Sequence, residues 1–366
     1  MEVIKLHDWV VYLSEYSHPT TLVVEVSTRC NLACIHCFRY AAKHFKLVDM
    51  PYENFVKIVD NAVASGVRRL VLTGWGEPTA NPRILDMVKY AKNKGLYVVL
   101  NTNGVMLREL GEAIVDVGVD ELYVSIDAVD VELYEKIRVH GEFSTVSKGI
   151  ALVSEIKQHR SLRKPVIKSI YTVSKLNLKQ LIKLVGYATE IGIQEVYVSM
   201  YIHHEAGVPG IDCINNKECI EELKAIFGEV AKIAINAPVK LWIPNTESYT
   251  DRGCPYAESR ALYVRADGKV APCMFLAYTW RAVIDGIKRD IFEHVIGDAL
   301  SESLLDVWRR NAKMLFKLAF NHMPSCLDCT LRNWCSYTQS TGFDCWGNTP
   351  NCSFCPYHYK MSYCPL

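Results

Sequence analysis

Between about Thr20 and Asn236 the chain alternates short apolar, β-branched runs with longer stretches of helical period. Leu22–Val26, Leu70–Thr73, Val98–Asn101, Leu122–Ile126, Ile167–Val173 and Val196–Met200 read as strands. Because these runs are mostly continuous rather than alternating, they predict a sheet covered on both faces. Between them the apolar positions shift to one face of a helix, with Phe55, Ile58, Val59, Ala62 and Val63 in one segment and Leu178, Leu181, Ile182 and Val185 in another. Six β–α units in series predict an α/β fold, a parallel sheet curling into a partial (β/α)6 TIM-like barrel with its function at the C-terminal ends of the strands.

After Asn236 the repeat breaks down. Pro238, Pro244 and Pro255 interrupt the pattern, helical period survives mainly around Leu304–Leu318, and from Cys326 onward turn residues and cysteines dominate. The chain therefore divides into an N-terminal extension (1–20), a barrel (21–236) and a loop-rich second domain (237–366). Asp344–Leu366 has too little aliphatic material to build a core, so something covalent or metallic should hold it.

Composition narrows the function. Of 366 residues half are apolar, enough for a substantial core, while 41 Lys and Arg against 40 Asp and Glu leave no global field for nucleic acid or an anionic membrane. The opening MEVIKLHDWVVYLSEY lacks a basic n-region with an apolar core, and no later stretch approaches the roughly 18 apolar residues of a membrane span. The expectation is a soluble, cytoplasmic protein with no nucleic-acid or membrane partner. Fourteen cysteines are spread over too long a chain for a secreted disulfide scaffold. Three fall within eight residues near the start, Cys213 and Cys219 stand alone, and nine lie between Cys254 and Cys364. Such clusters point to metal, and the isolated pair reads as free thiols.

Cys30, Cys34 and Cys37 form C-x3-C-x2-C directly after the first strand. Three thiolates at this spacing can hold three corners of a cubane iron–sulfur cluster and leave the fourth iron open to a chelating ligand such as a methionine moiety. A zinc site with His36 as fourth ligand, or three incidental cysteines, are the alternatives. The spacing and position resemble the radical S-adenosylmethionine superfamily. Its members usually carry an aromatic residue just before the third cysteine; here His36 stands there and Phe38 follows instead.

The resemblance extends around the barrel rim. Gly74-Trp75-Gly76-Glu77-Pro78, at the second strand end, is similar to the family's glycine-glycine-glutamate-proline element with one residue changed. Small residues let backbone approach a ligand, and Glu77 offers a carboxylate to an ammonium group. Asn101-Thr102-Asn103-Gly104 and Ser125-Ile126-Asp127 close the next two strands. By resemblance His36, Gly74, Gly76, Glu77, Asn103, Ser125, Asp127 and Arg138 are candidate contacts to S-adenosylmethionine, with Ser125 and Arg138 the stronger candidates for direct contact. Against this, Asp127 could cap the following helix and Arg138 could be a surface arginine.

Cys254, Gly268 and Cys273 stand as C-x13-G-x4-C, followed by Cys326-x2-Cys329-x5-Cys335. This is similar to the SPASM extension of radical enzymes that modify peptides and proteins, where cysteines hold auxiliary [4Fe–4S] clusters. The next family cysteine would fall at Gln339, and the pattern resumes as Cys345, Cys352, Cys355 and Cys364. Nine thiols allow two auxiliary clusters without fixing the fourth ligand of each. A zinc ribbon pairing Cys326/Cys329 with Cys352/Cys355 is the structural alternative. Some family members place an aspartate proton acceptor after the cysteine equivalent to Cys273; here it is Met274, and that role is not carried over.

The resemblance implies that a low-potential donor such as ferredoxin reduces the N-terminal [4Fe–4S] cluster, which cleaves bound S-adenosylmethionine to methionine and a 5′-deoxyadenosyl radical that takes hydrogen from a substrate. The tail Asp344-Cys345-Trp346-Gly347-Asn348-Thr349-Pro350-Asn351-Cys352-Ser353-Phe354-Cys355 and the closing Cys364-Pro365 resemble SPASM proteins proposed as maturases of tungsten-containing aldehyde oxidoreductases. A ribosomal peptide precursor is the competing substrate, and a non-enzymatic iron–sulfur carrier or zinc scaffold the competing class. The GWGEP and SID elements speak against a bare carrier, which needs no methionine or ribose site.

Overall fold

The six apolar runs become six neighbouring parallel strands, because each is apolar on both faces and needs cover on both. A computed structural model describes residues 3–6, 8–12, 14, 17–214, 216–248, 251–364 and 366. Pro365 of the closing dipeptide, and six of the sixteen residues in the opening segment, lie outside the described residues. A short hairpin, β1 (Val3–Leu6) and β2 (Trp9–Tyr12), precedes the sheet. The sheet itself begins with β3 (Thr21–Val24), β4 (Arg69–Leu72), β5 (Tyr97–Thr102), β6 (Glu121–Ser125), β7 (Val166–Val173) and β8 (Glu195–Met200), paired in chain order. Register aligns apolar residues across the strands, Leu22 beside Leu70 and Leu70 beside Val98. The order and direction are those expected of right-handed β–α units.

The helices cover the outer face. α1 (Tyr52–Ala64), α2 (Ile84–Asn93), α3 (Leu107–Asp116), α4 (Val131–Ile137), α5 (Phe143–His159) and α6 (Leu181–Glu190) each bury one apolar stripe. In α1 that stripe is Phe55, Ile58, Val59 and Ala62, the spacing read from the sequence. α7 (Lys217–Ile235) packs on α6, its first turn capped by Asn216, whose side chain accepts from the Cys219 amide at 2.8 Å. Cys213 and Cys219, expected as free thiols, are instead joined in a disulfide. The loop brings their Cα atoms to 5.2 Å, within bonding geometry.

The sheet runs past the six expected strands to ten. β9 (Lys240–Trp242) adds parallel to β8 at one edge, and β10 (Ala261–Val264) pairs in parallel with β3 at the other. β10 is a four-residue run buried along its whole length, too short to stand out in a proline-interrupted stretch. β11 (Lys269–Ala271) extends that edge; β12 (Trp280–Ile284) and β13 (Ile287–Ile291) form a separate hairpin; β14 (Gly297–Asp298) ends the sheet beyond β11. Three of the ten strands, β10, β11 and β14, therefore come from the cysteine-rich region, and β10 ties it directly onto β3, the strand that leads into the first cysteines.

α8 (Pro255–Glu258), α9 (Leu304–Arg310) and α10 (Ala312–Ala319) are the remaining helices among the described residues, the periodic run 304–318 being broken at Asn311. From Phe320 onward the described residues form two 3-10 turns, Arg332–Trp334 and Ser336–Gln339, and otherwise loops. Polar side chains pin those loops. Tyr359 OH donates to Ser353 O at 2.9 Å and accepts from the Leu327 amide, and the Asn351 side chain donates to Tyr337 O at 2.7 Å. Among the described residues no helix is long and apolar enough to cross a membrane.

Candidate active site

The first cysteines emerge from the C-terminal end of β3. Cys30, Cys34 and Cys37 lie in a loop that ends in a 3-10 turn, Phe38–Ala41, and the loop is held against the end of α4 by Ala33 N to Val139 O (2.9 Å) and Ile35 N to Ile137 O (3.0 Å). Burial raises the pKa of all three thiols, Cys34 to about 12, and the sulfurs lie close enough that Cys37 and Cys30 add to the rise at Cys34 and Cys30 adds to it at Cys37. Thiols so placed stay protonated near neutral pH, and a bound metal would displace those protons. All three line a cavity of about 220 Å³, together with His36, Gly74, Gly76, Glu77, Asn103, Ser125 and Arg138. The candidate contacts named on the sequence thus meet at one cavity, except Asp127.

Two glycines permit this approach. A Cβ on Gly76 would lie 2.3 Å from Ser27 O and 2.6 Å from Arg29 O, so only glycine lets the second strand end pack on the cysteine loop. A hydrogen bond from Glu77 N to Arg29 O (2.7 Å) fixes the same contact. A Cβ on Gly74 would meet the Glu25 side chain at 2.6 Å. Between them Trp75 is buried in an aromatic cluster with Phe38, Phe45, Tyr278 and Trp280, and its indole N–H donates to Met274 O.

The Glu77 carboxylate is engaged within the protein. It accepts from Thr79 N and Oγ1 (3.0 and 2.6 Å), Thr102 Oγ1 (2.7 Å) and Asn103 N (2.7 Å). Burial raises its pKa, and these bonds oppose the shift. Glu77 therefore joins the second and third strand ends, while Asn103 carries the link on to the cysteine loop through Nδ2 to Asn31 Oδ1 (2.6 Å) and Cys30 Sγ (3.8 Å).

Asp127 corrects the capping alternative. α4 is capped by Asp130, whose side chain accepts from the Leu133 amide. Asp127 is wholly buried behind the cavity, accepts from Arg138 Nε at 2.6 Å and Thr172 N at 2.7 Å, and lies 3.5 Å from His36 Nε2. Arg138 is no surface arginine: it is 5 % exposed, it lines the cavity, and its guanidinium is held in this ion pair. Burial lowers the His36 pKa, opposed by Asp127. The cavity wall also includes Met274, which the sequence reading gave no role, and Tyr201, Tyr357 and Tyr363, which it did not single out. Glu25 was missed as well, although a lone carboxylate inside the apolar run TLVVEV is a readable signal. It is fully buried and accepts from Trp75 N (2.7 Å), Tyr263 OH (3.0 Å) and Tyr278 OH.

The nine C-terminal cysteines separate into two sets. Cys254, Cys273, Cys352, Cys355 and Cys364 line one small apolar cavity of about 40 Å³. Met274 and Tyr357 line this cavity and the larger one, so the two are neighbours. Cys345 lies within electrostatic reach of Cys329 and Cys335, and Cys326 within reach of Cys329 and Cys345. The two C-x2-C pairs fall in different sets, against the zinc-ribbon pairing. Burial pushes Cys254 up to about 12 and Cys326 to about 11. Among the described residues no three of these donors already converge tightly enough to hold a single metal ion; in donor type and number, three thiols beside a ligand-sized cavity, a set of four and a set of five suit iron–sulfur clusters.

Comparison with known proteins agrees with this arrangement. Residues 24–188 match the Radical SAM superfamily and residues 254–330 match SPASM, an iron–sulfur cluster-binding domain. The chain is 30 % identical over 351 residues, 94 % of its length and 97 % of the relative's, to the tungsten-containing aldehyde ferredoxin oxidoreductase cofactor-modifying protein of Pyrococcus furiosus. It is 24 % identical over 357 residues to the PqqA peptide cyclase of Ruegeria pomeroyi, covering 94 % of this chain and 90 % of that protein. In fold it matches Streptococcus suis SuiB bound to its precursor peptide SuiA with a TM-score of 0.64, at 18 % identity, over 87 % of this chain and 71 % of the other. Cysteine placement, rim geometry and a match along nearly the whole length lead to one conclusion: the chain belongs to the radical S-adenosylmethionine superfamily, with a SPASM iron–sulfur cluster-binding domain at its C-terminal end.

Proposed function

We propose that this enzyme acts in the maturation of a tungsten-containing aldehyde oxidoreductase, on its cofactor or on the protein that carries it. The observation behind this reading is the 30 % identity to the Pyrococcus protein over 97 % of that protein's length. As a radical S-adenosylmethionine enzyme the chain binds [4Fe–4S] clusters and S-adenosylmethionine. Cys30, Cys34 and Cys37 are the proposed ligands of the cluster that supplies the electron for splitting S-adenosylmethionine into methionine and the 5′-deoxyadenosyl radical. Cys326, Cys329, Cys335 and Cys345 are proposed to hold one auxiliary cluster, and four of Cys254, Cys273, Cys352, Cys355 and Cys364 the other. A small low-potential iron–sulfur protein, such as ferredoxin, is the proposed donor.

The chain's own residues position and shield. Gly74 and Gly76 bring backbone to the ligand, and Asn103 and Ser125 present polar groups at successive strand ends. Arg138, oriented by Asp127, offers a fixed cation to a carboxylate, and the His36 ring faces the same space. Met274, Tyr357 and Tyr363 line the cavity from the C-terminal domain and would limit the access of water to a ligand bound there.

The test is to produce a tungsten-containing aldehyde oxidoreductase with and without this enzyme and compare its extracted cofactor by mass spectrometry. A mass change that needs both the enzyme and an intact Cys34 supports the proposal. An unchanged cofactor and oxidoreductase, with a change instead in a ribosomal precursor peptide, would favour the peptide-modifying reading, for which the full-length match to a peptide cyclase speaks.

A further inference from the structure

Arg289, on β13, is 1 % exposed and stands between the two C-terminal cysteine sets. Its guanidinium donates to Thr338 O (2.6 Å) and Tyr337 O (3.4 Å), just after Cys335, and to Asn351 O (2.7 Å), just before Cys352. It lines the cavity of the five-cysteine set. Its charge acts on Cys352 and Cys355 of that set and on Cys326 of the other. Phe354, also fully buried, lies under the guanidinium at 5.6 Å.

Carbonyl oxygens satisfy its N–H groups but do not neutralise its charge. Arg138, Arg69 and Arg265 are each paired with a carboxylate, at 2.6, 3.0 and 2.7 Å; among the described residues Arg289 has no such pair. An isolated buried cation is costly, and it persists where an anion balances it. The groups in reach that can carry negative charge are the cysteine sulfurs and the Tyr359 hydroxyl; burial raises the Tyr359 pKa and keeps that group neutral, which leaves the sulfurs.

We propose that Arg289 is the shared counter-charge of the two auxiliary iron–sulfur centres, holding both cysteine loops and raising both reduction potentials. This rests on the ligand assignment above. A cluster held by four thiolates is anionic and gains one more negative charge on reduction, so a fixed cation nearby favours the reduced form. Arg289 is thus a positioning and tuning residue, not a catalytic one.

The test uses anaerobically reconstituted full-length enzyme, wild type, Arg289→Met and Arg289→Lys, with iron and sulfide counted and potentials measured by EPR-monitored titration. The N-terminal cluster serves as internal reference. With full loading, Arg289→Met should shift both auxiliary midpoints to more negative values, leave the reference unmoved, and be largely restored by Arg289→Lys. Unmoved midpoints, or a shift at one centre alone, would overturn the proposal. If Arg289→Met loads poorly, restored loading in Arg289→Lys supports a counter-charge, whereas an equal deficit in both reduces Arg289 to a hydrogen-bonding clamp. Wild-type protein binding iron for the N-terminal centre alone would sink the ligand assignment itself.

Discussion

Replacing Gly76 by alanine probes the joint between the glycine-rich strand end and the cysteine loop. The added methyl would sit 2.3 Å from Ser27 O, 2.6 Å from Arg29 O and 2.6 Å from the Thr28 carbonyl carbon, whereas real Cβ contacts essentially never fall below 3.0 Å. Backbone, not a flexible side-chain end, must retreat by about 0.7 Å. Forcing one methyl into such a contact costs about 1–3 kcal/mol. A displacement approaching 1 Å in a group that positions the reacting centre costs on the order of 100-fold in rate. Gly76→Ala should therefore fold with a lowered melting temperature and form 5′-deoxyadenosine on the order of 100-fold more slowly. Gly228→Ala is the control: it lies within α7 with nothing inside 4 Å of the added Cβ, and removing a helical glycine should stabilise by about 1 kcal/mol. Reconstituted Gly76→Ala enzyme that cleaves S-adenosylmethionine at the wild-type rate would refute the reasoning.

Other perturbations read separate parts of the account. Arg138→Met strands Asp127 in a fully buried site and should cost about 3–5 kcal/mol, with loss of 5′-deoxyadenosine formation; an unchanged melting temperature would contradict the buried pair. His204 and His358 are buried, and desolvation lowers both from 6.5 to about 4. The folded chain thus binds fewer protons than the unfolded one between these values, so their contribution is complete above pH 6.5 and is lost as pH falls towards 4. At pH 5.5 each should have lost about 1.4 kcal/mol, and His358→Gln should flatten the decline in melting temperature between pH 7 and 5.5. Cys329→Ala should retain slow cleavage of S-adenosylmethionine but fail on the substrate; full turnover of substrate would remove the outer cysteine set from the reaction.

The barrel strands were legible because continuous apolar runs leave no polar face to expose, and the rim motifs because each follows directly on such a run. Ala261–Val264 was not, since a four-residue run carries no period and its parallel partner lies some 240 residues away in sequence. The Asp127–Arg138 pair was invisible for a related reason. Its members are eleven residues apart across a loop and a helix, so no local spacing places them together. The C-x2-C pairs announced metal, yet spacing within a pair says nothing about which pair it meets in space, and the two sets emerged only with the fold. The Cys213–Cys219 bond was missed because the five residues between the cysteines carry no glycine or proline, and the Pro209-Gly210 turn falls before the first of them.

The central claim is that the Cys30, Cys34 and Cys37 sulfurs carry a cluster with one iron free for S-adenosylmethionine. It is tested most directly by EPR of the dithionite-reduced, oxygen-free enzyme before and after adding S-adenosylmethionine, alongside the Cys34→Ala variant. A reduced [4Fe–4S] signal that changes on addition, with 5′-deoxyadenosine formed and both effects lost in the variant, is the expected result. Zinc at the triad, or cleavage that survives in Cys34→Ala, would contradict it.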